Sequence, residues 1–188
     1  MMKKAKSVFL VAVFILTTAM TSAYSRQTEA TISVKVREKI EPFFYACVTH
    51  RGPIDDMQSV IGTLMQNMQA QNLLPPMGPM VGIFYTSPGL TKAEDMQWEL
   101  GFPVTSQAMV QKPLELKKWS YTTAAICLHV GSYDKSVETI NKIMEWINAN
   151  GYTAIGPVME QYQDMDPSSI RPEKLKTEIW VPCKKIGS

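Results

Sequence analysis

Sliding the chain along itself by 79 residues lays 32–104 on 111–183, and no other feature restricts the fold as much. Lys39 falls on Lys118, Ala46 on Ala125, and His50-x-Gly52 on His129-x-Gly131. Asp55 meets Asp134, Ile61 meets Ile140, Met65 meets Met144, and Glu99 meets Glu178. With a one-residue gap, Gly78-Pro79 also meets Gly156-Pro157.

Each half reads strand, helix, strand, strand. "FFYACVTH" and "TTAAICLHV" are the opening strands, each followed by a turn that places Asp55 or Asp134 near a helix N-terminus. The helices are expected over 56–71 and 135–150. Val60, Ile61, Leu64, Met65 and Met68 form one stripe, and Val137, Ile140, Ile143, Met144 and Ile147 form the other. Pro75-Pro76 stops the first helix, and Asn150-Gly151 caps the second. Short strands over 80–85 and 158–162 and a closing strand complete each half. A helix with one apolar stripe needs a sheet to cover. The expected fold is therefore α+β: two β-α-β-β repeats related by a pseudo-twofold axis form an antiparallel sheet. Both helices lie on one face and a ligand cleft on the other.

The N-terminus stands apart from this plan. Lys3, Lys4 and Lys6 precede an apolar run over 7–20, and small residues follow, with cleavage expected near Ala23 or Ser25. Residues 1–25 read as a signal peptide and 26–188 as a single domain, exported to the periplasm or the outside. The run is shorter than a bilayer span needs, so no stable membrane span is expected after cleavage. The chain has 19 Lys+Arg and 17 Asp+Glu. Three of the lysines and none of the acids lie in the leader, which leaves 16 − 17 = −1. No basic cluster remains to bind nucleic acid. Cys47, Cys127 and Cys183 lack metal spacing and read as buried apolar residues, or as one disulfide with a free thiol.

Strand alternation gives "KTEIWVPCKK" (176–185) two faces. Ile179, Val181 and Cys183 belong on the helices; Glu178, Trp180 and Pro182 belong on the cleft side. In the first half Trp98, Leu100 and Phe102 make the core set, leaving Glu99, Gly101 and Pro103 on the cleft side. Glu178 is either solvated there or meets a ligand. A lipophilic cation would supply charge while Trp180 supplies a cation–π surface, and a neutral polar ligand would accept a hydrogen bond from the acid.

The doubled plan resembles the GyrI-like family of small-molecule effector-binding domains, also found at the C-terminus of AraC- and MerR-type regulators. So do the turns His-Arg-Gly-Pro and His-Val-Gly-Ser-Tyr-Asp, the stretch Gly-Pro-Val-Met-Glu-Gln-Tyr, and the closing Glu-Ile-Trp-Val-Pro. The resemblance implies an aromatic-lined cleft at the pseudo-twofold axis, with the glutamate of the last strand, here Glu178, as main polar contact. It differs in showing no helix-turn-helix domain and in carrying the leader.

Tyr85 and Tyr162, at the ends of the middle strands, are expected either to line the cleft or to pack on the sheet edge. Trp119 and Tyr121 could reach its rim, and Trp146 belongs to the helix core. His50 and His129 hold equivalent places, so a haem or tetrapyrrole site is the remote alternative to histidines bonded to their turns. No metal or cofactor is expected. The enzymatic alternative is hydrolysis of strained electrophiles, with Glu178 and Glu99 acting on water. No Gly-x-Ser-x-Gly, His-Glu-x-x-His or phosphate loop supports another chemistry.

Overall fold

A computed structural model of the protein describes residues 33–87, 90–164 and 166–187, and the expected signal peptide lies outside the described residues. Along the chain run β1 (Lys35–Arg37), β2 (Phe43–Arg51), α1 (Met57–Ala70), β3 (Met80–Phe84), β4 (Gln97–Val104) and β5 (Glu115–Trp119). Then come β6 (Ala124–Val130), α2 (Ser136–Ala149), β7 (Tyr152–Ala154), β8 (Val158–Tyr162) and β9 (Lys176–Lys185). All described pairings are antiparallel, in the order β1-β6-β9-β8-β3-β4-β2-β5, with β7 added on β9. This is the expected α+β class. Matched at the 79-residue offset, the strand order reads the same from either end.

The helices end where the sequence says they should. Gly151 follows α2 with φ +75°, a conformation that only glycine adopts without strain. At their N-termini, Asp55 and Asp134 each sit in a single 3-10 turn, and neither caps the helix with its side chain. The stripe Val60, Leu64 and Met68 is buried against Ala46, Trp98 and Leu100. Ile140, Ile143 and Ile147 are buried against Cys127, Ile179 and Val181. Full burial of each such aliphatic side chain contributes about 1.5–3 kcal/mol. Cys47, Cys127 and Cys183 are buried free thiols.

The opposite face differs from expectation. β1 and β2 are six places apart in the sheet, yet only the five residues 38–42 join them. Such a link reaches at most about 21 Å, whereas six spacings of a flat sheet span about 29 Å. The sheet must therefore curl, concave toward the link. Residues 120–123 impose the same constraint between β5 and β6. The two links meet where the Ile40 amide donates to the Thr122 carbonyl at 2.9 Å. Under them Val81, Ile83 and Met159 are fully buried, in one cluster with Ile40, Trp119 and Trp180. Among the described residues this side of the sheet packs as a second core. The short, charged strands β1 ("KVR") and β5 ("ELKKW") cause this, and their composition hides them from a reading based on apolar periodicity.

Candidate functional site

Three carboxylates point inward from this sheet. Two of them share the concave side. Glu99, on β4, is fully buried. It accepts hydrogen bonds from Tyr45 Oη at 2.6 Å and Tyr85 Oη at 3.0 Å, and it pairs with Lys117 Nζ from β5. Lys117 also reaches Thr49 Oγ1 at 3.1 Å. Burial pulls the Lys117 ammonium down, but the hydrogen bond and charge of Glu99 outweigh it and leave it raised. Burial, then Glu99, pushes the Tyr85 phenol up to about 12, and burial followed by Glu99's charge does the same to the Cys47 thiol.

Glu178, on β9, takes Arg37 Nη2 from β1 at 3.1 Å and the Trp180 indole N–H at 2.7 Å. The Arg37 guanidinium stands 4.9 Å from the Trp180 ring centre. Here the aromatic surface and the carboxylate expected for a ligand cation already hold a cation from the same chain. Lys117 opposite Tyr45 and Arg37 opposite Ala124 occupy matching register positions, so each crossing strand delivers one base to one glutamate.

Of the five expected site residues, the fold brings Glu99 and Tyr85 together, and separately Glu178 and Trp180. The two groups do not meet. Their strands are three places apart, about 14 Å, with the buried Ile83 and Met159 between them. Each glutamate has its own partners instead: Lys117, Tyr45 and Tyr85 for Glu99, Arg37 and Trp180 for Glu178. Gly101 is closely covered, and a Cβ there would lie 2.6 Å from the Ala46 carbonyl oxygen. Tyr162 is on the other face: it pairs with Thr177, beside Ile179, and so lies on the helix side. The histidines cannot meet either. His50 on β2 and His129 on β6 are five strand places apart. His50 Nε2 contacts Asp56 Oδ2 at 2.9 Å; His129 contacts Thr139 Oγ1 at 2.9 Å and the Ser132 carbonyl at 3.1 Å.

The third carboxylate is Glu160, on β8, which faces the helices and is 4% exposed. Tyr162 Oη donates to its Oε2 at 2.9 Å, and Ser136, the first residue of α2, lines the same cavity. Among the described residues it has no lysine or arginine partner. Burial pushes its carboxyl above the ordinary value of 4.5, against Ser136, Tyr162 and the nearby His129, which all pull it down. Glu160 helps to line a cavity of about 220 Å³ between the starts of the two helices. Ile54 and Met57 wall it from one side, Tyr133, Val137 and Ile140 from the other, and Phe84 and Tyr162 from the sheet. Asp134 adds a second acid, and no base lines the cavity. Tyr133 meets Tyr162 edge-on at 5.2 Å. Met65 and Met144, 40% and 36% exposed, continue the helical rows of Met57–Ile61 and Ile140.

Glu160 went unremarked as a site residue in the sequence, though a signal was present. In "VMEQY" alternation sets Val158, Glu160 and Tyr162 on one face, so a helix-side strand face carries an acid.

Comparison with known proteins bears on this geometry. The EcmrR C-terminal domain superposes with a TM-score of 0.68 at 18% identity, covering 83% of this chain and 99% of that one. A hydrolase of Listeria innocua encoded by lin2189 gives 0.58 at 15% identity, covering 81% and 91%. SAV2435, solved bound to tetraphenylphosphonium, gives 0.52 at 16% identity, covering 81% and 93%. At these identities the likeness is one of fold. No curated protein matches the chain in sequence. The GyrI-like small molecule binding domain model matches residues 37–184, most of the chain, and the protein therefore belongs to that family.

Proposed function

We propose that this protein binds a lipophilic cation in the cavity between its helices, with Glu160 as the counter-charge. The observation that carries the reading is a carboxylate buried at an apolar cavity, bonded by the Tyr162 hydroxyl, with His129 nearby and no lysine or arginine partner among the described residues. Burying an ionised carboxylate in this way is costly unless a cation joins it. A ligand cation would meet that charge, and Phe84, Tyr133 and Tyr162 offer aromatic surface for cation–π contact. A dry cavity of about 150 Å³ accommodates benzene, so 220 Å³ suits one aryl group and its substituents. That one protein of this fold was solved with tetraphenylphosphonium is consistent with this ligand class. The apolar run over 7–20 behind Lys3, Lys4 and Lys6 supports export, so the ligand would be met outside the cytoplasm.

The test is a panel of aryl ammonium and phosphonium cations with neutral isosteres, read as shifts in melting temperature. Cations are expected to raise it more than their isosteres. Equal effects from both, or none from either, would overturn the proposal.

A further inference from the structure

Gly82 lies in the middle of β3, where glycine loses more entropy on folding than any other residue and contributes no packing. Its φ is not in the positive range that would call for glycine. The reason lies in space. Gly82 pairs directly with Glu160 across the β3–β8 ladder, so a side chain at 82 would project to the same face. A Cβ there would stand 2.8 Å from Tyr162 Oη, 3.1 Å from Phe84 Cε2 and 3.3 Å from Leu100 Cδ2. The hydroxyl that donates to Glu160 thus lies over the bare backbone of Gly82, and Tyr133 packs against the Tyr162 ring at 5.2 Å.

We infer that Gly82 is a positioning residue for the Glu160 site: the space left by its missing side chain lets Tyr162 deliver a hydrogen bond to the carboxylate. This deepens the proposal above and rests on it for the role of Glu160 in binding. The consequence is regulatory. The carboxylate also faces His129 from β6, Ser136 from α2, and Tyr133 and Asp134 at the cavity, none of which either substitution changes. A donor to the carboxylate favours its ionised form, so Gly82 and Tyr162 together lower the pH at which Glu160 becomes a counter-charge. Losing that donor should move the ionisation of Glu160 upward by about one pH unit, and the onset of cation binding should move with it.

The experiment follows the Glu160 carboxyl by ¹³C NMR titration in wild type, Gly82→Ala, Tyr162→Phe and the double variant, without ligand. Both single variants should raise its midpoint by a similar amount, and the double variant by no more than either. Tyr162→Phe removes the atom nearest the new Cβ, so Gly82→Ala should lower the melting temperature less in that background. Independent, additive shifts would overturn the inference, as would an unchanged midpoint in Gly82→Ala. Should Gly82→Ala fail to fold alone, the decision falls to Tyr162→Phe and the double variant: an unchanged midpoint in Tyr162→Phe, or a double variant that also fails to fold, overturns it. A parallel titration of tetraphenylphosphonium binding against pH separates the two claims. A shifted carboxyl midpoint with no binding at any pH supports the role of Gly82 and overturns the ligand class.

Discussion

Glu99 and Glu160 stand two strands apart on one sheet, both almost wholly buried, and the fold treats them in opposite ways. Glu99 faces the concave side, where the crossing strand β5 supplies Lys117 and where Tyr45 and Tyr85 complete its shell. Glu160 faces the helices, at a cavity whose walls are largely apolar and hold no lysine or arginine, with His129 of β6 nearby. The chain therefore gives the first carboxylate a lysine and leaves the second with the Tyr162 hydroxyl at a cavity. A buried acid reads as structural where the fold brings its own cation, and as a binding group where it does not.

The comparison breaks most sharply at Lys117. Lys117→Met strands the fully buried Glu99 charge, and denaturant unfolding should show a loss of about 3–5 kcal/mol. A loss below about 1 kcal/mol would mean that Glu99 does not depend on its lysine.

A smaller effect separates the two acids by pH. Glu160 is raised in the fold, so the folded state holds a proton that the unfolded chain releases above 4.5. Its contribution to stability is full below that value and is lost as pH rises through its own higher midpoint. Urea midpoints between pH 4 and 8 should carry this fall in wild type and lack it in Glu160→Gln. An identical slope in both would remove Glu160 from the account. Lys117 works in the alkaline window: its contribution is full below 10.5 and lost as pH rises through its raised value.

The smallest effect belongs to Arg37, whose side chain is half exposed. Arg37→Ala should cost less than about 1 kcal/mol and lose even that in high salt, measured by the same unfolding curves. A cost near that of Lys117→Met would show that the two ends of the concave face are equivalent after all.

Much of this fold was legible in residue order. Apolar stripes at helical spacing located both helices to within a residue at each end, and alternation sent Glu99, Glu178 and Trp180 to the concave side, where they are. What hid was the closure of that side. β1 and β5 are short and charged, and a strand at a sheet edge needs no apolar alternation, so nothing in "KVR" or "ELKKW" announced that they cross to the far half. Without those crossings the bases for Glu99 and Glu178 could not be assigned, and an ion pair looked like an open site. Glu160 was legible by the same alternation that placed Glu178. Its meaning depends on which elements surround it, and that follows only from the tertiary arrangement of two helix starts around β8.

The most direct test is calorimetric titration of tetraphenylphosphonium into wild type, Glu160→Gln and Glu178→Gln at pH 7.5. The account predicts that Glu160→Gln weakens binding at least tenfold while Glu178→Gln stays within about twofold, since Arg37 already occupies Glu178. Loss of binding in Glu178→Gln with Glu160→Gln unchanged would contradict it and return the ligand to the concave face.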